Sequence, residues 1–145
     1  MRNITVTNES EQFGHLAYLD KIATESLQEL KRKDREYGAS WKKRGGVGAY
    51  MMLARKWDRL ENALNPHPGD KTTSNLGDGQ GLPIPPYDII TAGVVDCRAE
   101  GIIDDIRDLR NYLLLVEAQI RYEQEEVIGR KTELAKADAV TPIRS

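Results

Sequence analysis

Tyr50, Leu53, Trp57, Leu60 and Leu64 recur at spacings of 3, 4, 3 and 4. That alternation puts five apolar side chains on one face of an α-helix and on neither face of a strand. No other stretch constrains the fold as strongly. Asn65 and Pro66 follow at once, and a proline cannot extend the helix because it has no N–H and its ring clashes with the turn before it.

A second helical pattern runs from about Ile89 through Ile102, Ile106, Leu109, Leu113, Val116, Ile120 and, more faintly, Val127. Gly93 and Gly101 allow a break near its start. An earlier helix is expected from Asn8, which forms a capping-box pattern with Glu11, to Tyr37, where Gly38 supplies the stop. Its core face would be Leu16, Leu19, Ala23, Leu27 and Leu30. The short "ITVT" alternates like a strand, but four residues cannot build a sheet alone. The fold class expected is therefore all-α, a bundle of three to five helices. Residues 65–88 concentrate Gly, Pro, Asn, Asp and Ser with no apolar period, and a loop of that length in a compact domain is usually a lid, a binding loop or a disordered insert. Residues 1–129 read as a single all-α domain and 130–145, polar and carrying Pro142, as a frayed tail.

Charged residues make up 30% of the 145 and aromatics 6%, a balance that suits helices better than strands. One cysteine, Cys97, excludes an internal disulfide and fits a reducing compartment. The first ten residues lack the apolar core of a signal peptide, and no apolar run could span a bilayer, so a cytoplasmic protein without membrane contact is expected. A net charge of −2 gives no strong signal for DNA or RNA.

Three groups of residues could carry chemistry. Glu100, Asp104 and Asp108 are spaced i, i+4 and i+8, with Asn111 one turn further. Asp104 and Asp108 each lie within roughly 20° of Leu115 around the helix axis. Leu113, Leu114, Leu115 and Val116 cover every side of one turn, which predicts burial all round and an acidic stripe facing protein or a cleft. Such oxygens can ligate Mg²⁺ alongside substrate phosphates; the alternative is a solvated face paired with Arg107 and Arg110. The second group is "SWKKRGGVG", Ser40 to Gly48, where Lys42, Lys43 and Arg44 precede glycines and a helix N-terminus. It could cradle a phosphate or be an ordinary basic turn, and it is neither a Walker A loop nor a dinucleotide fingerprint. The third is Arg55, Lys56 and Arg59, either phosphate ligands or stems covering apolar surface. Trp41 and Trp57 could stack on a base, although the seam position of Trp57 favours the core. His15 and His67 have no zinc-site partners, and no nucleophile elbow is present.

"YGASW", "RKWDRLENAL" and "EGIIDDIRDLRNYLLL" together resemble the nucleotide modification associated domain family, found largely in bacteriophage genomes. Tyr37, Gly38, Lys56, Arg59, Leu60, Glu100, Asp104, Asp108, Leu109, Asn111 and Tyr112 occupy that family's pattern, over about residues 30 to 116. The family in turn is similar to the all-α nucleoside triphosphate pyrophosphohydrolases, helical oligomers that bind Mg²⁺ on acidic residues. The chain has Glu25 and Glu29 at i, i+4 where the hydrolases carry E-x-x-E, and Arg55 where an acid normally precedes the lysine.

The resemblance implies a Mg²⁺-dependent enzyme acting on a phosphoanhydride of a nucleotide or modified nucleotide, in the cytoplasm of an infected bacterium. Asp104 and Asp108 would ligate Mg²⁺, Glu100 would complete the site or orient water, and Tyr37, Trp41, Arg44, Lys56, Arg59, Asn111 and Tyr112 would bind substrate. A homo-oligomer is expected, since few long helices are available to cover one that is apolar on all sides. Two other classes remain open: a non-catalytic protein that sequesters a nucleotide, as a phage accessory or counter-defence factor, and a helical interaction module with no small ligand.

Overall fold

The computed structural model describes residues 14–65 and 84–140. A 3₁₀ turn, Gly14–Tyr18, leads into helix α1, Leu19–Tyr37. A second 3₁₀ turn, Ser40–Lys42, precedes α2, Gly45–Leu64, followed by α3, Ile89–Val95, and α4, Ile102–Val140. The fold class is all-α, with no strand among the described residues. No described helix is long and apolar enough to cross a membrane. The Asn8–Glu11 capping pattern, "ITVT" and residues 66–83 of the long loop lie outside the described residues. The chain falls into two compact units, 1–43 and 44–145.

In the first unit, α1 is laced by ion pairs one turn apart. Arg32 bridges Glu29 and Glu36, at 2.8 Å to each, and Lys33 also reaches Glu29 at 3.4 Å. Gly38 ends the helix at φ 58°, a left-handed conformation that glycine tolerates best, and its N–H donates to the Asp34 carbonyl. Leu16, Leu19, Ala23 and Leu27, the expected core face, are exposed, and Leu30 is half-buried. The amphipathic pattern is real, but it faces outward.

In the second unit, α2 closes at Leu64, as Asn65 and Pro66 predict. The chain returns at Ile84, which is buried, and Tyr87 adopts a left-handed φ of 60°. Two bonds hold this unfavourable conformation for a bulky residue. The Tyr87 N–H donates to the Leu64 carbonyl at 3.1 Å, and its hydroxyl donates to Asn65 Oδ1 at 2.8 Å. Asp88 then caps α3 by accepting from the Thr91 N–H and hydroxyl, which lowers its pKa.

The break expected near Gly93 or Gly101 falls at residues 96–101, and Asp96 organises it. Its carboxylate takes the Arg98 side chain at 2.9 Å, the Arg98 N–H at 3.1 Å and the Ile102 N–H, first in α4, at 2.6 Å. A Cβ on Gly101 would stand 2.5 Å from Asp96 Oδ2, so only glycine leaves room for this approach. α4 continues through Gly129 to Val140, past the point where its apolar pattern fades.

The core gathers where α2 ends and α4 begins: Leu60, Ala63, Leu64, Ile84, Ala92 and Ile102, flanked by Ile89, Val95, Ile106 and Leu109. Further along, burial thins to single residues, Ala49 on α2 and Asn111 on α4. Tyr50 and Trp57 are exposed although their spacing places them on the seam, because the buried face of α2 turns through Ala49, Leu60, Ala63 and Leu64 instead. The all-apolar turn is likewise not buried all round, with Leu113 and Leu114 exposed and Leu115 and Val116 half-buried. Its α2 neighbour can cover only one side.

The Arg98 guanidinium and the Ile102 N–H hold the Asp96 carboxyl down to about 2. A carboxyl depressed in the folded state stabilises it above the unfolded pKa of about 3.9, and that contribution is lost as pH falls toward 2. Asp96→Asn is expected to cost roughly 2 kcal/mol at pH 7. The gap from the parent protein should close between about pH 4 and pH 2, as read by urea unfolding across that range.

Candidate functional site

α2 and α4 are charged along the line where they meet. On α2, Lys56 and Arg59 lie three residues apart, so both side chains point toward the same neighbour. On α4, Asp105 and Asp108 do the same. Lys56 Nζ sits 2.6 Å from Asp108 Oδ2, and Arg59 Nε lies 3.0 Å from Asp105 Oδ1. Numbering rises along one helix as it falls along the other, so the two run antiparallel. Arg59 also extends toward Glu100, 3.7 Å away on the approach to α4.

This seam unites five of the positions selected from sequence: Lys56, Arg59, Glu100, Asp108 and, one turn beyond Asp108, Asn111. Asn111 is 3% exposed, and neither its Nδ2 nor its Oδ1 has a hydrogen-bond partner. Asp104 is engaged differently. It accepts the Gly101 N–H at 3.1 Å, capping the start of α4, and takes Arg107 at 3.0 Å, the pairing that the solvated-face alternative predicted. Tyr112 is half-buried one residue past Asn111.

The remaining selected residues stand apart from the seam or in the other unit. Arg44 is the residue before α2 and makes no side-chain cap; twelve residues of helix, about 18 Å, separate it from Lys56. Gly45 to Gly48 form the opening of α2, where Gly45 takes φ 72° and a Cβ on Gly48 would press on Arg44 Cβ at 2.7 Å. Tyr37, exposed, ends α1, and Trp41, half-buried, lies in the 3₁₀ turn that follows it. Glu25 and Glu29, the nearest match to the hydrolases' E-x-x-E, face Lys21 at 3.9 Å and Arg32 at 2.8 Å respectively.

Sequence reasoning missed Asp105, the most deeply buried acid of the seam at 3% exposure. A signal was present. Asp105 lies between Ile102, Ile106 and Leu109 on the apolar face of α4, a position where a carboxylate must find a cation.

As a Mg²⁺ site the donor set fits only in part. Asp104 and Asp108 lie one turn apart and offer the two carboxylates that Mg²⁺ often uses beside substrate phosphates. No cluster of three or more His, Cys, Asp or Glu that could hold a metal ion occurs among the described residues. Asp108 is neutralised by Lys56, and Asp104 by Arg107.

The two cross-helix pairs differ in burial, and this sets their cost of removal. Arg59→Ala would take from the buried Asp105 its ion-pair partner, and should destabilise by about 3 kcal/mol. Lys56→Ala leaves the better-solvated Asp108 and should cost about 1 kcal/mol. Urea unfolding of both variants, with Arg59→Met plus Asp105→Leu as an apolar replacement expected to recover most of the loss, checks the ranking.

No protein-family model matches this chain, and no curated protein or solved structure matches it.

Proposed function

We propose that the α2–α4 seam is the site of a Mg²⁺-dependent protein that processes a nucleotide, most simply by hydrolysing a phosphoanhydride, in bacteriophage nucleotide metabolism. The observation that carries this reading is the orphaned amide of Asn111, buried one turn from Asp108. An unsatisfied buried polar group costs about 1–3 kcal/mol, and a ligand offering a donor and an acceptor would recover it. A nucleotide does so through its base or sugar, while its phosphates suit Lys56 and Arg59.

Asp104 and Asp108 would hold the ion, with Glu100 at the edge of the set; bound there, Mg²⁺ would supply positive charge to the phosphoryl oxygens. Lys56 and Arg59 would bind the phosphates, exchanging a carboxylate partner for a phosphate oxygen. The buried wall behind Arg59 would keep water from that side of the ligand. The Lys56–Asp108 pair supports a second reading as well. A carboxylate already satisfied by lysine, and Arg55 where the family carries an acid, suit a protein that holds a nucleotide without cleaving it.

A thermal-shift screen of nucleoside mono-, di- and triphosphates, each with Mg²⁺ and with EDTA, separates the readings. Ligand at 100 times its Kd should add about 2.7 kcal/mol. The enzyme requires a shift that depends on Mg²⁺, released phosphate or pyrophosphate, and loss of turnover in Asp108→Asn. A shift that survives EDTA with the nucleotide intact supports the sequestering protein, and no shift with any nucleotide overturns both.

A further inference from the structure

α4 is 39 residues long, about 58 Å at 1.5 Å per residue, whereas the 20 residues of α2 span about 30 Å. The ion pairs fix how the shorter helix lies on the longer. Followed back from Lys56 opposite Asp108, the antiparallel register places Gly45, the first residue of α2, opposite Gln119. Beyond that point α2 ends, and every residue from Arg121 to Ala139 is exposed. A single solvated helix of this length, with Gly129 in its middle, is marginal in water without a partner.

From the stretch beside α2 into this bare segment, Leu113, Ile120, Val127 and Leu134 recur every seven residues, at 50%, 52%, 47% and 65% exposure. A spacing of seven keeps one apolar line facing a second helix that winds around the first. Three residues after each lie Val116, Glu123, Arg130 and Ala137, which complete the contact line.

We propose that a second copy of this chain covers this line with its own α4, running antiparallel and crossing within a turn of Val127. Charge selects the direction. A parallel pair would stack Glu123 on Glu123 and Arg130 on Arg130 at the centre of the contact, where like charges are least tolerated. The antiparallel pair brings Glu123 of each copy beside Arg130 of the other. Only Glu126, near the crossing point, then meets its own counterpart. The contact sets the line from Ile120 to Leu134 against its own copy and needs no further component.

The test is the solution mass of the full chain, by light scattering and sedimentation over a dilution series. The expected result is twice the 16.3 kDa of one chain, converting to a monomer in Ile120→Glu plus Val127→Glu, which alters exposed positions only. Glu123→Arg and Arg130→Glu should each weaken the dimer on the order of tenfold, and combining them should restore it. In a parallel pair each reversal would replace one like-charge contact by another and change nothing. With Cys97 first replaced by Ser, Val127→Cys should cross-link to itself through a short bis-maleimide. Leu113→Cys should not, since its two copies would stand about 40 Å apart along the axis. A monomeric parent chain, a dimer indifferent to both charge reversals, or efficient cross-linking at position 113 would each overturn the proposal.

Discussion

A buried carboxylate governs this molecule. Asp105 sits among Ile102, Ile106 and Leu109, where an unpaired charge would oppose folding. Arg59 answers it from α2, and with that one contact the rotation and the axial register of the two longest packed helices are set. Lys56–Asp108 repeats the constraint one turn along. Hydrophobic burial alone could tolerate several sliding positions of α2 on α4, since Leu60, Ala63 and Leu64 offer no directional preference. The charges remove that freedom. They also make up the candidate site: the side chains that fix the register are the ones proposed above to meet a phosphate or a metal.

The fold class and most helix ends were legible in the chain. Seam spacing and Pro66 located α2, and Gly38 located the end of α1, because periodicity and glycine or proline chemistry are local properties. Exposure was less legible. Tyr50, Trp57 and the leucines of α1 carry the spacing of a core without being buried, and periodicity tells which residues share a face without telling what that face meets. The site was read in the same partial way. Choosing acids by their stripe picked out Asp108 and Glu100, which join the seam, but passed over Asp105, which belongs to the apolar face, and gave no sign that Asp104 also caps the start of α4. Asp96 was also missed, since its partners are backbone N–H groups created by the break in the helix.

α4 divides its work along its length. Its first turns carry charge and meet the core, and its later turns carry an apolar line and meet solvent. Substitutions in the two regions act on different properties, register and the charged seam in one and exposed apolar area in the other, although a single continuous helix joins them. The separation comes from the mismatch in length between α2 and α4.

Tyr87 adds a consequence for how such a chain can vary. By bonding to the Leu64 carbonyl and to Asn65, it brings both ends of the intervening segment to one point, with α2 and α3 already anchored on either side. Closing a longer chain between fixed ends is only slightly harder, about 0.6 kcal/mol for each doubling of its length. The position between Asn65 and Ile84 is therefore a natural graft point. A segment of different size or sequence, even a small folded module, could be exchanged there while the helices and their charged seam remain as they are.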